Sequence, residues 1–386
     1  MKLFDRKRKA FAMLACLVLL TLLASACGSA NNGSSGSSGS STTNGNNGKG
    51  CKKVGVLLPE TATSARWDSK DRPLLIQDIK SSLSGATVDY NNAEGSATEQ
   101  QNQANADLTK GDCILVLAPV NGQTAAAIVT KAKQQGVPVI AYDRLIQSKD
   151  TAFYVSFDNV RVGELQGQYI VDHYKDYVKG PGHNNLVMIN GAQTDNNAIL
   201  FRQGALNKLQ PLISGGQLNK LVDEYTPMWD NPTAQNEMQG ALTAHQNNIQ
   251  VAYVANDGMA NAVIAALKSQ HLNGKVLVTG QDATVTGIQN ILTGDQGMTV
   301  YKAITKETMA TAQLVAAISN GSDTSSLTSG ATTKTTDGGS IPSVLETPVA
   351  VDKTNIASTV IADGFVTKSE VCSGLPPGTN TNGICP

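Results

Sequence analysis

The sequence lacks the marks of several large functional classes. Basic residues are not in excess, because 30 Lys and Arg stand against 31 Asp and Glu for a net charge of −1, so we expect no binding of nucleic acid. The phosphate-binding patterns G-x-x-x-x-G-K-[ST] and G-x-G-x-x-G after a strand do not occur, and neither does the hydrolase elbow G-x-S-x-G. Carboxylates are numerous enough to leave a glycosidase pair open, but we expect a protein that is not an enzyme.

Residues that commonly build metal and aromatic sites are also scarce. The four His, at positions 173, 183, 245 and 271, are scattered, and no C-x-x-C occurs, so we expect neither a metal site nor a cofactor. Aromatic residues make up 4% of the chain, and its two Trp are Trp67 and Trp229. A site that depends on Trp must therefore use one of these.

The first 26 residues have the pattern of a signal peptide. Its basic residues are Lys2, Arg6, Lys7, Arg8 and Lys9. The apolar run that follows, residues 10–23, is shorter than the roughly 20 residues that span a membrane and is typical of a signal peptide core. The run ends in Ala24-Ser25-Ala26-Cys27, which resembles a bacterial lipobox although the usual Leu lies one place early, at Leu23. We expect cleavage after residue 26 and a lipid on Cys27; ordinary signal cleavage is the alternative.

A segment rich in Gly, Ser and Asn follows the expected lipid-bearing Cys27 and continues to residue 50. Such a composition cannot bury a core, so residues 27–50 predict a flexible tether with a span of roughly 25–30 Å. Lipid, tether and body together predict a soluble domain outside the cytoplasm. We expect it to be lipid-anchored to the outer face of the bacterial cell membrane, or periplasmic.

Four cysteines remain once Cys16 leaves with the signal peptide and Cys27 takes the lipid: Cys51, Cys113, Cys372 and Cys385. Four cysteines allow three pairings. Cys51 and Cys113 each begin a predicted strand, and neighbouring parallel strands would place them side by side. Cys372 and Cys385 bracket a Gly- and Pro-rich tail. We favour the pairs 51–113 and 372–385; free buried cysteines are the alternative.

Short apolar stretches predict ten strands in the body of the chain. They are Lys53–Leu58, Ala86–Tyr90, Cys113–Ala118, Pro138–Tyr142, Phe153–Ser156, Asn185–Asn190, Asn219–Tyr225, Val251–Ala255, Lys275–Gly280 and Met298–Tyr301. Helical patterns lie between most of them, as in Thr124–Lys133, Val160–Tyr177 and Asn261–Gln270. Continuous apolar strands followed by helices are typical of parallel sheets covered on both faces. With 386 residues, the chain predicts an α/β fold with two doubly wound, Rossmann-like domains.

Polar residues and both Trp follow the predicted strands, where α/β sheets bind their ligands. The set is Arg66, Trp67, Asp143, Arg144, Asp195, Asn197, Trp229, Asn256, Asp282 and Lys302. Sugar hydroxyls both donate and accept hydrogen bonds, and the C–H faces of a sugar ring pack on Trp, so this mixture suits a neutral polyhydroxylated ligand. Taken singly, each Asp or Asn could instead be a helix cap or a turn residue.

Six motifs lie in order along the body: ARWDSKDR at 65–72, AYDR at 141–144, SFDN-x3-GELQ at 156–166, DNNA at 195–198, GQDA at 280–283 and VYK at 300–302. With them the chain resembles the periplasmic sugar-binding proteins of the ribose and galactose type, which are type I periplasmic binding proteins. The chain is most similar to the D-xylose-binding members that serve ABC importers. The sequence TPMWDN around Trp229 differs from the family pattern, and so do the tether and the cysteine-containing tail.

The resemblance implies two α/β domains joined by a three-strand hinge, with crossings near Asp158, just after Lys302 and near Thr347. One domain would comprise residues 51–158 and 303–346, and the other residues 159–302 and 347–386. The sugar would lie between them. Of the ten residues named above, the first four would contact it from the first domain and the other six from the second.

The resemblance also implies a function: capture of a monosaccharide, D-xylose first, by hinge closure and delivery to an ABC permease. The permease and its ATPase would be separate chains, and the binding protein a monomer. Glucose or ribose as ligand is an alternative, as is a sensor that presents its closed form to a chemoreceptor or a sensor kinase. A sugar-responsive repressor would need a helix-turn-helix where the signal peptide lies.

Overall fold

The computed structural model describes residues 47–386. The expected signal peptide, Cys27 and the tether as far as residue 46 lie outside the described residues, so these remain predictions. The last four residues of the expected tether, Asn47–Gly50, belong instead to the folded body. The amide of Gly50 donates to the carbonyl of Ser319 at 2.7 Å, and Gly48 is buried where a Cβ would meet Ile318 and Pro138.

Thirteen strands and eleven α-helices, with four short 3₁₀- or π-helical segments, form the body that the structure describes. The strands are β1 Lys53–Leu58, β2 Thr87–Asn92, β3 Ile114–Leu117, β4 Val139–Tyr142, β5 Phe153–Phe157, β6 Asn185–Asn190, β7 Asn219–Tyr225, β8 Val251–Val254, β9 Leu277–Val278, β10 Met298–Tyr301, β11 Thr332–Lys334, β12 Ser340–Glu346 and β13 Val349–Asp352. The helices are α1 Arg72–Ser82, α2 Ala97–Lys110, α3 Ala126–Gln134, α4 Asn159–His173, α5 Asn196–Ser214, α6 Asn231–Ala244, α7 Asp257–Ser269, α8 Val285–Thr293, α9 Ile304–Asn320, α10 Ser325–Thr328 and α11 Lys368–Cys372.

The first domain is built on a seven-stranded sheet in the order β11-β12-β5-β4-β3-β1-β2. All its pairs are parallel except β11 with β12. Alternate side chains of a strand point to opposite faces, so Val54, Val56 and Leu58 of β1 enter one core while Leu57 enters the other. Burial on both faces explains why β1 reads as a continuous apolar run.

The second domain is built on a four-stranded parallel sheet in the order β7-β6-β8-β9. Strand β10 continues beyond its edge, since the amides of Gly297 and Val300 donate to the carbonyls of Val278 and Gly280 at 2.9 and 3.0 Å. Strand β10 also pairs antiparallel with β13. The expected fold of two α/β domains with parallel sheets is confirmed, with antiparallel pairs added at the margins of both.

All ten predicted strands are present, with ends within two residues of the prediction, and the sequence missed β11, β12 and β13. The four cysteines form two disulfides, Cys51–Cys113 and Cys372–Cys385. The first joins the residues that precede β1 and β3, and the second closes the C-terminal tail. Within residues 47–386, no helix is both long and apolar enough to cross a membrane.

Candidate ligand-binding site

Loops at the carboxyl ends of strands from both sheets surround a small cavity. Its lining is Thr63, Ser64, Arg66, Trp67, Asp143, Arg144, Asp195, Asn197, Phe201, Trp229, Asn256, Gln281, Asp282 and Lys302. The lining includes all ten residues that the sequence singled out, and each of those is at most 9% exposed. The structure therefore brings the ten together, while their contact with a ligand remains a prediction.

Arg66 is fixed from three sides before any ligand enters. Its Nε and Nη2 donate to the two carboxylate oxygens of Asp71 at 2.9 and 2.6 Å, and Nη2 also donates to Glu307 at 3.3 Å. The hydroxyl of Tyr142 donates to Asp71 at 2.6 Å and so holds that carboxylate in turn. Burial works against the charged guanidinium, but the carboxylates of Asp143 and Asp71 raise the pKa of Arg66 well above its ordinary value.

Asp143 follows β4 in a left-handed conformation with φ 57°. Its carbonyl accepts from the hydroxyls of Tyr154 and Ser156 at 3.0 and 2.7 Å, which stabilises this unusual backbone. Its carboxylate accepts from Arg66 at 3.0 Å and from Lys302 at 3.2 Å. Burial would raise the pKa of Asp143, but these two cations hold it below its ordinary value, so the group is an anion at neutral pH.

Arg144, Asp195 and Asn197 form a second group at the boundary between the two domains. Nε of Arg144 lies 3.0 Å from Asp195 Oδ2, and Asp195 Oδ1 accepts from the backbone amide of Asn197 as the cap of α5. The side-chain amide of Asn197 donates to the carbonyl of Asp143 at 2.9 Å. Burial raises the pKa of the Asp195 carboxyl and outweighs the opposing charge of Arg144.

Asp282 and Lys302 complete the charged part of the lining. Lys302 Nζ lies 3.7 Å from Asp282 Oδ1, and Arg66 Nη1 lies 4.0 Å from the same oxygen. Among the described residues, this buried oxygen accepts no hydrogen bond. Because buried polar atoms are nearly always paired, Asp282 has an acceptor left for a donor inside the cavity.

The two Trp line the cavity in different ways. The guanidinium carbon of Arg66 lies 4.5 Å from the centre of the Trp67 ring, and that of Arg144 lies 5.2 Å from it. The ring of Trp229 packs on the backbone of Gly191, where a Cβ would lie only 2.1 Å away. Both indole nitrogens are buried without a partner in the part of the chain that the structure describes. Each Trp therefore has both a flat face and an unused donor.

The charges of the lining balance, since three basic side chains face three acidic ones. They are Arg66, Arg144 and Lys302 against Asp143, Asp195 and Asp282. Such a cavity favours a ligand without net charge, because an ion would leave one sign of the lining uncompensated in a buried place. The mixture of unused donors and acceptors favours a ligand that carries several hydroxyl groups.

Sequence reasoning missed four lining residues: Thr63, Ser64, Phe201 and Gln281. A signal existed for two of them. Phe201 lies four residues after Asn197 on α5, which places both on one helix face, and Gln281 directly precedes Asp282. Asp195 and Asn256 are both helix caps and lining residues, so the two interpretations are compatible, and their contact with a ligand stays a prediction.

A family model described as a periplasmic binding protein domain matches residues 60–323. The chain is 37% identical over 321 residues to the D-xylose-binding periplasmic protein of Escherichia coli, covering 83% of this chain and 92% of the relative. It is 38% identical over 320 residues to the D-xylose-binding periplasmic protein of Haemophilus influenzae, with the same two coverages.

The fold is similar to a crystal structure of an ABC transporter solute-binding protein from Clostridium phytofermentans with bound β-D-glucose. The TM-score is 0.72 at 30% sequence identity, over 83% of this chain and all of that one. At 83% of this chain, the match is too long to be confined to either domain.

Proposed function

The chain belongs to the family of periplasmic binding proteins, and from that premise we propose that it captures a monosaccharide outside the cytoplasm and delivers it to an ABC permease. D-Xylose is the first candidate, because two relatives that are 37% and 38% identical over 321 and 320 aligned residues carry D-xylose in their names. A similar solved protein holds β-D-glucose, so glucose is the next sugar to test.

The observation that carries this proposal is the enclosed, charge-balanced cavity with its unused polar atoms. Asp282 offers an acceptor, and Trp67 and Trp229 each offer a donor. Hydrogen bonds to charged partners contribute about 1.5–3 kcal/mol each, so a few of them account for the roughly 8 kcal/mol of a micromolar complex. The Trp faces add packing against the C–H face of a sugar ring.

We propose that the sugar is captured by closure of two domains, comprising residues 51–158 with 303–346 and residues 159–302 with 347–386. The two separate sheets support this division. Hydrogen bonds across the boundary support a closed state, including Gly122 N to Thr194 O at 3.1 Å and Asn231 Nδ2 to Thr63 O at 3.4 Å. Each domain supplies part of the cavity wall. A sugar therefore binds the closed state better than an open one and shifts the population toward it.

Isothermal titration of the soluble chain from residue 28 against D-xylose, D-glucose and D-ribose tests the proposal. We expect one saturable site with micromolar affinity for at least one of these sugars. The two Trp both line the cavity, so intrinsic fluorescence should change over the same range of sugar concentration. The sugar should be recovered unaltered, since we propose binding without reaction. Absence of heat with every pentose and hexose tried would contradict the proposal.

We further propose that a lipid on Cys27 holds the monomeric protein at the outer face of the cell membrane, beside a permease and an ATPase on separate chains. The motif Ala24-Ser25-Ala26-Cys27 supports the lipid site. Cells that express the full chain should incorporate radiolabelled fatty acid into it, and Cys27→Ser should abolish the label. Equal labelling of the Cys27→Ser variant would place the lipid elsewhere.

A further inference from the structure

Asp257 is buried directly behind the cavity without lining it. It is the first residue of α7, follows the lining residue Asn256, and has no exposed surface. Its Oδ1 accepts from Gln296 Nε2 and Thr299 Oγ1, both at 2.9 Å. Its Oδ2 accepts from the amide and the hydroxyl of Thr284 at 2.8 and 3.2 Å. One carboxylate thus accepts four hydrogen bonds from three residues.

These partners belong to the segments that carry the lining of the second domain. Thr284 lies two residues after Asp282, and Thr299 lies in β10, three residues before Lys302. The backbone amide of Asp257 also donates to the carbonyl of Gln281 at 2.8 Å. Asp257 therefore links the segments after β8 and β9 to β10 at one buried point.

The segment after β9 needs such support because its backbone is strained. Asp282 has φ 97° and the next residue, Ala283, has φ 50°, values that cost free energy in residues other than glycine and persist only where the surroundings hold them. Three successive amides are held here. Asp282 N donates to the carbonyl of Val300, Ala283 N to Thr299 Oγ1, and Thr284 N to Asp257.

Two glycines make room for the Asp257 carboxylate. A Cβ at Gly280 or at Gly287 would lie 2.2 Å from one of its oxygens. Gly280 and Gly287 therefore accommodate the carboxylate from two sides, and neither tolerates a side chain while it is present.

We propose that Asp257 is a positioning residue, which holds Asp282 and the adjoining lining of the second domain in the conformation that receives the ligand. This inference rests on the proposed sugar binding. Asp257 does not contact the cavity, so its effect on affinity must pass through the residues that it holds, and Asp282 is the one with the strained backbone and the unused acceptor oxygen.

The variant Asp257→Asn tests this, because the amide has the same size but replaces one acceptor with a donor. Titration with D-xylose, or with the sugar that the unaltered protein binds best, should show at least tenfold weaker binding. The matched control is Asp107→Asn, a buried carboxylate in α2 that accepts from Asn91 and does not line the cavity. We expect the control to leave the affinity unchanged.

A double-variant comparison separates positioning from general damage. The fold-loss of affinity caused by Asp257→Asn is measured in the natural protein and again in the Asp282→Ala variant. We expect the second fold-loss to be at least three times smaller than the first, because Asp257 acts through Asp282 and that side chain is gone. If the two fold-losses of affinity differ by less than threefold, the inference is overturned. If Asp257→Asn does not fold, Thr299→Val removes the hydroxyl that bonds both Asp257 and Ala283, and it should weaken binding in the same direction.

The possible failures are distinguishable. If the unaltered protein binds no sugar, the proposed function fails. If the unaltered protein binds but Asp257→Asn and Thr299→Val bind equally well, sugar binding stands and the positioning role of Asp257 is wrong.

Discussion

Of the three carboxylates that accept from the buried Arg66 guanidinium, Asp71 and Glu307 are not equivalent. Asp71 accepts from two of its nitrogens, whereas Glu307 accepts one longer bond and leaves Oε1 without a partner among the described residues. Burial raises the pKa of Glu307 well above its ordinary value, and the negative charge of Asp143 raises it further. We therefore expect Glu307 to be protonated at neutral pH, while Asp71 orients Arg66 through its two hydrogen bonds.

This difference predicts a small and a large loss of sugar affinity for two substitutions of the same kind, each of which replaces a carboxyl with an amide. At pH 7, Glu307→Gln should change sugar affinity by less than threefold, because an amide replaces a carboxyl that is already neutral. Asp71→Asn should weaken binding at least tenfold, because loss of a charged hydrogen bond costs about 1.5–3 kcal/mol. Titration calorimetry on both variants checks this. Equal losses in the two would mean that Glu307 is ionised.

The positions of the ten lining residues could be predicted from the sequence because a simple rule governs them. Each lies in a segment after a predicted strand, and parallel strands place those segments at one edge of a sheet. Asp257 could not be found in this way, although it too follows a strand. Its role depends on Thr284 and Thr299, which reach it through the conformation of the segment after β9, and no local pattern encodes that contact.

A cluster of carboxylates at the start of β3 predicts a dependence of stability on pH. Oxygens of Asp89, Asp107 and Asp112 lie within 4.8 Å of one another, and Lys53 Nζ lies 3.4 Å from Asp112. Burial raises the pKa of Asp112 from 3.8 to about 6, and the charges of Asp89 and Asp107 contribute. The carboxyl is thus easier to ionise in the unfolded chain, and the free energy of unfolding falls as pH rises from about 4 to 6.

Asp112→Asn removes this penalty. Relative to the natural protein, the variant should gain up to about 3 kcal/mol between pH 4 and pH 7, and the gain should vanish below pH 4. Denaturant unfolding of both proteins at several pH values measures it. A difference between the two proteins that does not vary with pH would contradict the assignment.

At the scale of whole elements, the two disulfides close loops of different length. Cys51 and Cys113 are 62 residues apart, and Cys372 and Cys385 are 13 apart. Loop-closure entropy predicts losses of about 4 and about 3 kcal/mol when each pair is replaced by Ala. Denaturant unfolding should rank the variants in that order. Neither pair lines the cavity, so sugar affinity should stay within threefold, and a large loss would point to a disulfide that positions the site.

The strands that the sequence predicted and those that it missed differ in burial. β1, β3 and β4 are almost wholly buried and apolar, so their composition alone identifies them. β11 is short and polar, and β12 alternates and contains Pro342. Both lie at the margin of the seven-stranded sheet, where one side of the strand has fewer neighbours and the apolar signal is weak. Strand β12 pairs with β5, nearly 200 residues earlier, and β11 pairs with β12.

At the scale of the whole molecule, the cavity exists because the two domains touch. Thr63, from the loop after β1, meets Gly258 of α7 closely, and a Cβ at Gly258 would lie 2.9 Å from the carbonyl oxygen of Thr63. The added Cβ would also lie 2.9 Å from Oδ1 of Asn231, a side chain of the same domain that itself reaches Thr63. The conformation of Gly258 is helical, so the backbone itself does not require a glycine here. A methyl group there opposes closure against the fixed carbonyl of Thr63, whereas the end of the Asn231 side chain can shift.

Gly258→Ala therefore separates closure from folding. Ala is favoured over Gly in a helix by up to about 1 kcal/mol, so the melting temperature of the sugar-free protein should stay level or rise, while affinity falls at least fivefold. The matched control is Gly240→Ala in α6, where nothing lies within 4 Å of the added Cβ, and which should keep full affinity. Small-angle scattering should show that sugar compacts all three proteins. The natural protein and the control should become compact at lower sugar concentrations than Gly258→Ala. If Gly258→Ala binds sugar as tightly as the control, the sugar-bound state does not need the contact between Thr63 and α7. The proposal that sugar is captured by closure of the two domains at this contact would then be wrong.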